Sequence, residues 1–135
     1  MGERTGLDTN VVLRWLFVDR TAPDQNAAAT RAVEAAIAAG GVRLTVVVLA
    51  ELVWLMRSRL GMDRSAQMMA LQALIERDGV QIEDRPLVVA AIEATLGGPA
   101  GFADHLIGIS NARAGCRTTL TFDKAAARAE GFRRA

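Results

Sequence analysis

The sequence predicts an α/β fold in which short strands alternate with helices around a parallel sheet. Gly and Pro residues divide the chain into short segments, most segments carry helical spacing of apolar residues, and strand-like segments lie between them. Strands separated by helices are joined by right-handed crossovers, so the sheet should be parallel and covered on both faces. The functional crevice of such a sheet lies at the carboxyl ends of its strands.

The first half of the chain begins with a weakly supported strand, because the segment GERTG is polar. Pro23 suits the first turn of a long Ala-rich helix, which Gly40 and Gly41 end. The apolar segment VVVLAELVWLM predicts a further helix. In chain order, we expect a strand at residues 5–7, helices at 10–17 and 23–39, a strand at 42–45 and a helix at 47–59.

The second half continues the alternation. Asp63 is placed to cap a helix, because its carboxylate can accept from the free N–H groups of the first turn. The last segment, GFRRA, stops short of a clear final strand. In chain order, we expect a helix at residues 64–77, a strand at 80–82, helices at 86–96 and 102–114, a strand at 117–121 and a short helix at 124–129.

Length and composition narrow the class of protein. We expect one domain, residues 1–135, large enough to fold without a disulfide or a structural metal. Cys116 is the single cysteine and is expected to be buried. A net charge of +1 neither indicates nor excludes a nucleic-acid partner, although proteins that grip duplex DNA are usually more basic.

The sequence also bears on location and assembly. It has no signal pattern and no apolar run of about 18 residues, so we expect a cytoplasmic protein without a membrane contact. Its mean hydropathy is positive, which suggests that a partner or a second copy covers some apolar surface.

Glu51 is the most informative acidic residue, because it is the single charge within residues 44–56. Its neighbours on a helix are all apolar: Val47, Val48, Trp54 and Leu55. A carboxylate buried there without a cation would cost several kcal/mol or take up a proton. The alternative is an exposed stripe on an amphipathic helix.

Three aspartates, like Glu51, have no arginine beside them in the sequence, unlike Asp19, Asp63 and Asp84. Asp8 and Asp123 each follow a strand and precede a helix, and Asp104 lies in the first turn of a helix. Each could simply stabilise a helix N-terminus. However, Asp8 and Asp123 are also predicted at the carboxyl ends of strands, where the crevice opens.

A shared divalent cation would explain four such acids, because crowded carboxylates repel one another. Mg²⁺ and Mn²⁺ prefer carboxylate and water oxygens, and can activate water to attack a phosphodiester. Zn²⁺ is less suited, because His105 and Cys116 are the single histidine and cysteine of the chain.

The motifs LDTN, VVLAEL, FADHLI and TLTFD, in this order and spacing, resemble those of PIN domains. Nearly the whole chain resembles the toxin of a VapBC-type toxin–antitoxin pair. The resemblance implies a three-layer α/β/α fold with a central parallel sheet of about four to five strands. It also implies an endoribonuclease that depends on Mg²⁺ or Mn²⁺, with these catalytic and metal-binding residues: Asp8, Glu51, Asp104 and Asp123.

The same resemblance implies further residues and partners. Asn10 and Thr121 match positions close to the metal ligands, and Thr121 supplies a hydroxyl. The expected partners are an RNA substrate, a cognate antitoxin protein and a second copy of the chain. His105, one position after Asp104, should point away from the metal, because successive helical residues diverge by about 100°.

Other readings stay open. The chain could be a housekeeping PIN-type RNA-processing nuclease without an antitoxin, or a noncatalytic binding module whose acids cap helices. A phosphohydrolase with Asp8 as nucleophile is disfavoured, because Asn10 stands where a second aspartate would act as general acid.

Arg14 and Lys124 are expected at the solvated surface rather than against RNA. The two tryptophans, Trp15 and Trp54, are expected to anchor a core or an interface rather than stack on bases.

Overall fold

Helices and short strands alternate along the chain in the computed structural model, which describes residues 2–135, and the α/β prediction is confirmed. The strands are β1 (Thr5–Gly6), β2 (Val42–Leu44), β3 (Val80–Ile82), β4 (Thr119–Thr121) and β5 (Phe132–Arg134). The helices are α1 (Thr9–Leu16), α2 (Pro23–Ala39), α3 (Val46–Ser58), α4 (Arg64–Ile75), α5 (Arg85–Gly97) and α6 (Phe102–Arg113), with a 3₁₀ turn at Ala126–Arg128.

Most predicted boundaries agree with the structure to within two residues, and those of α2 and β3 agree fully. The predicted domain starts at Met1, which lies outside the described residues. Asp63 caps α4 as expected, since its Oδ1 accepts from the backbone N–H of Ala66 at 2.8 Å. None of the helices within residues 2–135 combines the length and the apolar character needed to cross a membrane.

All strand pairings in the described chain are parallel, and the arrangement is that of a three-layer α/β/α fold. The strands form two hydrogen-bonded groups, however: a three-stranded sheet in the order β1-β2-β3 and a separate pair, β4-β5. The expectation of one sheet with four to five strands is corrected to this extent. β1 is short and exposed, and it forms one edge of the larger sheet.

The strand β5 is absent from the sequence prediction. It is formed by residues of the polar end segment GFRRA and pairs with β4 from Thr119↔Phe132 to Thr121↔Arg134. The ring of Phe132 packs on Gly108 of α6, and a methyl group at Gly108 would overlap that ring. A glycine in α6 therefore lets the β4-β5 pair approach this helix closely.

The apolar helix α3 lies at the centre of the core and packs against α1, α4 and α6. Leu49, Leu52 and Met56 of α3 are fully buried. Burying each such side chain contributes about 1.5–3 kcal/mol of hydrophobic stabilisation. Two apolar residues of the same helix face solvent instead: Val47 is 64% exposed and Trp54 is 65% exposed. The helix α3 therefore joins the core on one side and leaves an apolar strip on the other.

Candidate catalytic site

Asp8 lies where β1 ends and α1 begins, at the carboxyl end of its strand. Its backbone is extended, and its Oδ1 accepts from the backbone N–H of Thr9 at 2.7 Å. The side chain is exposed. Asp8 therefore serves as the N-terminal cap of α1 and also presents a carboxylate to solvent at the edge where the crevice was expected.

Glu51 meets Asp8 through Thr9. The hydroxyl of Thr9, a residue only 4% exposed, donates to Oε1 of Glu51 at 2.9 Å. This bond joins residues that are 42 positions apart and ties the first turn of α1 to the middle of α3. The fold thereby brings the acid of LDTN and the acid of VVLAEL into one neighbourhood.

The expectation that Glu51 is buried among apolar neighbours is wrong. Its side chain is exposed, on the side of α3 that carries the exposed Val47 and Trp54. Val48 and Leu55 instead face the core. The alternative, an exposed stripe on an amphipathic helix, agrees with the observed exposure of Glu51, although the other exposed residues of that stripe, Val47 and Trp54, are apolar. A carboxylate in solvent needs no cation to avoid a desolvation cost.

Asp104 lies in the first turn of α6, where it is half-buried. Its Oδ2 accepts from the backbone N–H of Gly101 at 3.2 Å. A negative charge at this position is also favoured by the positive end of the helix dipole, by about 0.3–1 kcal/mol. Asp104 lines a groove of about 430 Å³ that reaches Trp54 on α3.

Asp123 follows β4 and caps the 3₁₀ turn, since its Oδ1 accepts from the backbone N–H of Ala126 at 2.9 Å. The hydroxyl of Thr121 accepts from the backbone N–H of Asp123 at 3.0 Å and so helps to set its orientation. The side chain of Asp123 is exposed. Its position after a strand agrees with the sequence prediction.

The four acids share one pattern of bonding. Each uses one carboxylate oxygen to accept a hydrogen bond, and in the described chain the second oxygen has no protein partner. None of them joins the ion pairs found in residues 2–135, which are Arg14–Asp19, Arg43–Glu83 and Arg113–Asp84. Each therefore keeps an oxygen and its negative charge available.

These residues suit a hard divalent cation by their chemistry, because carboxylate oxygens are the ligands that Mg²⁺ and Mn²⁺ prefer. Within residues 2–135, however, no group of three or more His, Cys, Asp or Glu side chains is already arranged to hold a metal ion. The hydrogen bonds of the described chain join Asp8 and Glu51 through Thr9. The site with all four acids stays a prediction.

The other residues singled out in the sequence are distributed around this region. Asn10 is exposed at the start of α1, and Lys124 is exposed beside Asp123. Arg14 forms an ion pair with Asp19 at 3.3 Å. Cys116 is exposed, against expectation, because it lies in the turn between α6 and β4 rather than in the core.

His105 is buried and lines a different cavity from Asp104, together with Gly108 and Arg128. Its Nε2 has no hydrogen-bond partner among the described residues. Burial lowers the pKa of the imidazole below its ordinary value, while the Asp104 carboxylate acts in the opposite direction and Arg64 adds to the lowering. The neutral ring is therefore favoured inside the fold.

Thr9 is the residue that the sequence analysis missed. It stands directly after Asp8 in LDTN, so a hydroxyl next to the first acid was the available signal. Its bond to a residue 42 positions away depends on how α1 packs against α3. Local sequence patterns do not report such packing.

Comparison with known families gives a match over nearly the whole chain. A family model described as "PIN domain" matches residues 7–131, a range that includes all four acids and Thr9. A search of curated proteins gave no match.

Proposed function

The chain belongs to the PIN-domain family, whose members are generally nucleases, and from this premise we propose that it is an endoribonuclease that depends on Mg²⁺ or Mn²⁺. The observation that carries the proposal is the hydrogen bond to Glu51 from Thr9, the residue that follows Asp8 at the carboxyl end of β1. This bond holds Glu51 against the start of α1, directly after Asp8, in the place where a parallel α/β fold opens its crevice.

In this proposal Asp8, Glu51, Asp104 and Asp123 hold the cation through the oxygens that their local hydrogen bonds leave free. The bound ion would neutralise charge on the scissile phosphate and activate a water molecule. Thr9 orients Glu51, Thr121 orients Asp123, and Asn10, exposed two residues after Asp8, is proposed as a neighbour of the metal ligands.

We assign the protein further to the toxins of toxin–antitoxin pairs, with a small antitoxin protein as partner and with self-association. An apolar face supports this part of the proposal: Val47 of α3 and Ile107 of α6, 53% exposed, line the same shallow depression. Exposed apolar patches of this kind mark protein contacts. Growth arrest on expression alone, reversed by a small protein encoded beside the gene, separates a toxin from a housekeeping nuclease.

The noncatalytic alternative rests on the caps that Asp8 and Asp123 form. Glu51 lies in the middle of α3 and caps nothing, yet it is held by Thr9, the residue that follows Asp8. A binding module gives no reason for that placement, whereas a nuclease does.

The test of the proposed activity is cleavage of a 5′-labelled RNA by the purified chain. We expect cleavage with Mg²⁺ or Mn²⁺ and none with EDTA. Equal cleavage in EDTA would contradict the metal dependence, and the absence of cleavage with every RNA and either metal would contradict the nuclease itself.

The role of Thr9 gives a separate prediction. Thr9→Val keeps the shape of the buried side chain and removes the hydroxyl that holds Glu51. We expect the affinity for Mn²⁺ to fall about tenfold or more, as for other groups that orient metal ligands. We expect the free energy of unfolding without metal to fall by only about 1 kcal/mol. Titration calorimetry with Mn²⁺ and urea unfolding measure the two quantities.

A matched control for this variant is Thr95→Val. Thr95 is equally buried, but its hydroxyl donates to the carbonyl oxygen of Ala91 within α5 and holds no acid. Its Mn²⁺ affinity should equal that of the wild type. If both variants bind Mn²⁺ with the wild-type affinity, Thr9 does not position a metal ligand.

A further inference from the structure

The groove beside Asp104 is lined by residues of α3, of the start of α4 and of the start of α6, and by Thr95 of α5. Its volume is about 430 Å³, and two exposed residues of α3, Trp54 and Arg57, line it. Its lining includes the exposed aromatic ring of Trp54 and two cationic side chains, those of Arg57 and Arg64. Of its lining residues, Asp104 is the proposed metal ligand, and the aromatic and cationic residues have no role in the metal site.

Trp54 presents an aromatic ring to the groove, with 65% of the residue exposed. The other tryptophan, Trp15, is half-buried, and the guanidinium of Arg77 covers it at 4.3 Å from the ring centroid. Trp54 follows Glu51 by three residues, so the two lie on the same side of α3. An exposed ring thus stands one helical turn from a proposed metal ligand.

The groove also carries two cations. Arg57 follows Trp54 by three residues and forms no ion pair in the described part of the chain. Arg64 is held in place by hydrogen bonds to the carbonyl oxygens of Gly98 (2.7 Å) and Pro99 (3.1 Å), which leave its charge unneutralised. Asp63 also lines the groove, but one of its carboxylate oxygens caps α4.

An exposed ring next to one fixed and one unpaired positive charge matches the chemistry of a nucleotide. Bases stack on aromatic side chains with little regard to sequence, and Arg meets the phosphates. A base can reach such a ring only when it is unstacked from its own strand, as in single-stranded RNA. An apolar protein segment would offer no charged partner to the two arginines.

We propose that this groove holds one unpaired nucleotide of the RNA, next to the phosphate that is cleaved. Its base stacks on Trp54, and its flanking phosphates face Arg57 and Arg64. The inference rests on the proposed function, since that function brings RNA to Asp104. It also assigns Trp54 a role that the sequence analysis disfavoured.

The test measures binding apart from cleavage. A fluorescein-labelled, mixed-sequence RNA octanucleotide is titrated with the full chain carrying Asp8→Asn, in EDTA, and the dissociation constant is read from anisotropy. Adding Trp54→Ala should raise that constant about tenfold or more, because loss of one stacked base has an effect of this size. Trp54→Phe should keep it within about threefold, because the ring is retained.

Met69→Ala is the control for Trp54→Ala. Met69 is 66% exposed on α4 but does not line the groove, so its truncation should leave the dissociation constant unchanged. Arg57→Gln should reduce the slope of log affinity against log salt by about 0.7, the loss of one phosphate contact to a single strand. In a Trp15→Phe background, the octanucleotide should quench the emission of Trp54.

Two results would overturn the inference. One is an unchanged dissociation constant in Trp54→Ala. The other is a dimer that Trp54→Ala and Val47→Ala both break while RNA binding persists, which would identify this face as a contact between copies. Because the assay contains EDTA, it does not depend on metal-activated cleavage. A failed nuclease assay with intact Trp54-dependent binding would therefore count against the proposed function alone.

Discussion

RNA cleavage by the Asp8→Asn variant is expected to fall by about two to three orders of magnitude in kcat/KM. The change removes the charge of the carboxylate at the carboxyl end of β1, where the proposal places the cation. Losing one group that stabilises developing charge costs about this factor in other enzymes. Asn caps helices about as well as Asp, so the N-terminus of α1 should stay intact. Initial rates with a 5′-labelled RNA and Mn²⁺ measure the effect.

Asp84→Asn is the matched control for this experiment. Asp84 also caps a helix, with its carboxylate accepting from the backbone N–H of Leu87 at 3.3 Å, but it pairs with Arg113 and lies outside the proposed site. Its kcat/KM should stay within about threefold of the wild type, since surface ion pairs contribute little. If Asp8→Asn is as active as Asp84→Asn, then Asp8 acts only as a helix cap, and the result supports the noncatalytic binding module.

Mn²⁺ is expected to raise the melting temperature of the wild type far more than that of Glu51→Gln or Asp123→Asn. An ion at a hundredfold excess over its dissociation constant stabilises the folded chain by about 2.7 kcal/mol. For a protein of this size, that corresponds to roughly 8–12 °C. Each variant lacks one ligand charge and should lose most of the gain. Thermal melts with EDTA and with Mn²⁺ compare the three proteins.

The melts in EDTA test charge crowding. The variants should unfold at or slightly above the wild-type temperature, because the acids are largely solvated and repel one another weakly. Glu93→Gln, an exposed acid of α5 outside the site, should behave as the wild type with and without Mn²⁺. Equal shifts by Mn²⁺ in all four proteins would mean that Glu51 and Asp123 do not share one metal site.

Local patterns predict the helices well in this chain. The bounds of α2 follow from Pro23 and the glycines after Ala39, and the start of α4 follows from the Asp63 cap. The strand β5 could not be predicted in the same way, because strand formation depends on the partner strand and on side-chain contacts across the fold. The strand β5 is held by its pairing with β4 and by the contact of Phe132 with Gly108, and both are tertiary contacts.

In the candidate site, too, local sequence patterns predict some features, and tertiary packing determines the others. The positions of Asp8 and Asp123 after strands follow from the alternation of elements, whereas the exposure of Glu51 does not. Its helical neighbours span about 120°, roughly a third of the helix circumference, with Val48 and Leu55 on the core side and Val47 and Trp54 on the solvent side. The pattern of apolar residues alone does not show that the boundary of the core passes between them. The Thr9–Glu51 bond and the exposure of Trp54 depend on how α3 packs, which no local pattern encodes.

The division of the strands into two groups bears on how stably the fold holds the four acids of the proposed site. The β4-β5 pair closes a loop of 13 positions, from Thr119 to Phe132, whereas β1 and β2 pair across 37 positions, from Thr5 to Val42. Short pairs with exposed edges open at lower free energy than the central core. Asp123 is attached to such a pair, while Glu51 is anchored on the central helix α3. In the proposal, an ion held by both Glu51 and Asp123 would bridge the two units and oppose the opening of the β4-β5 pair.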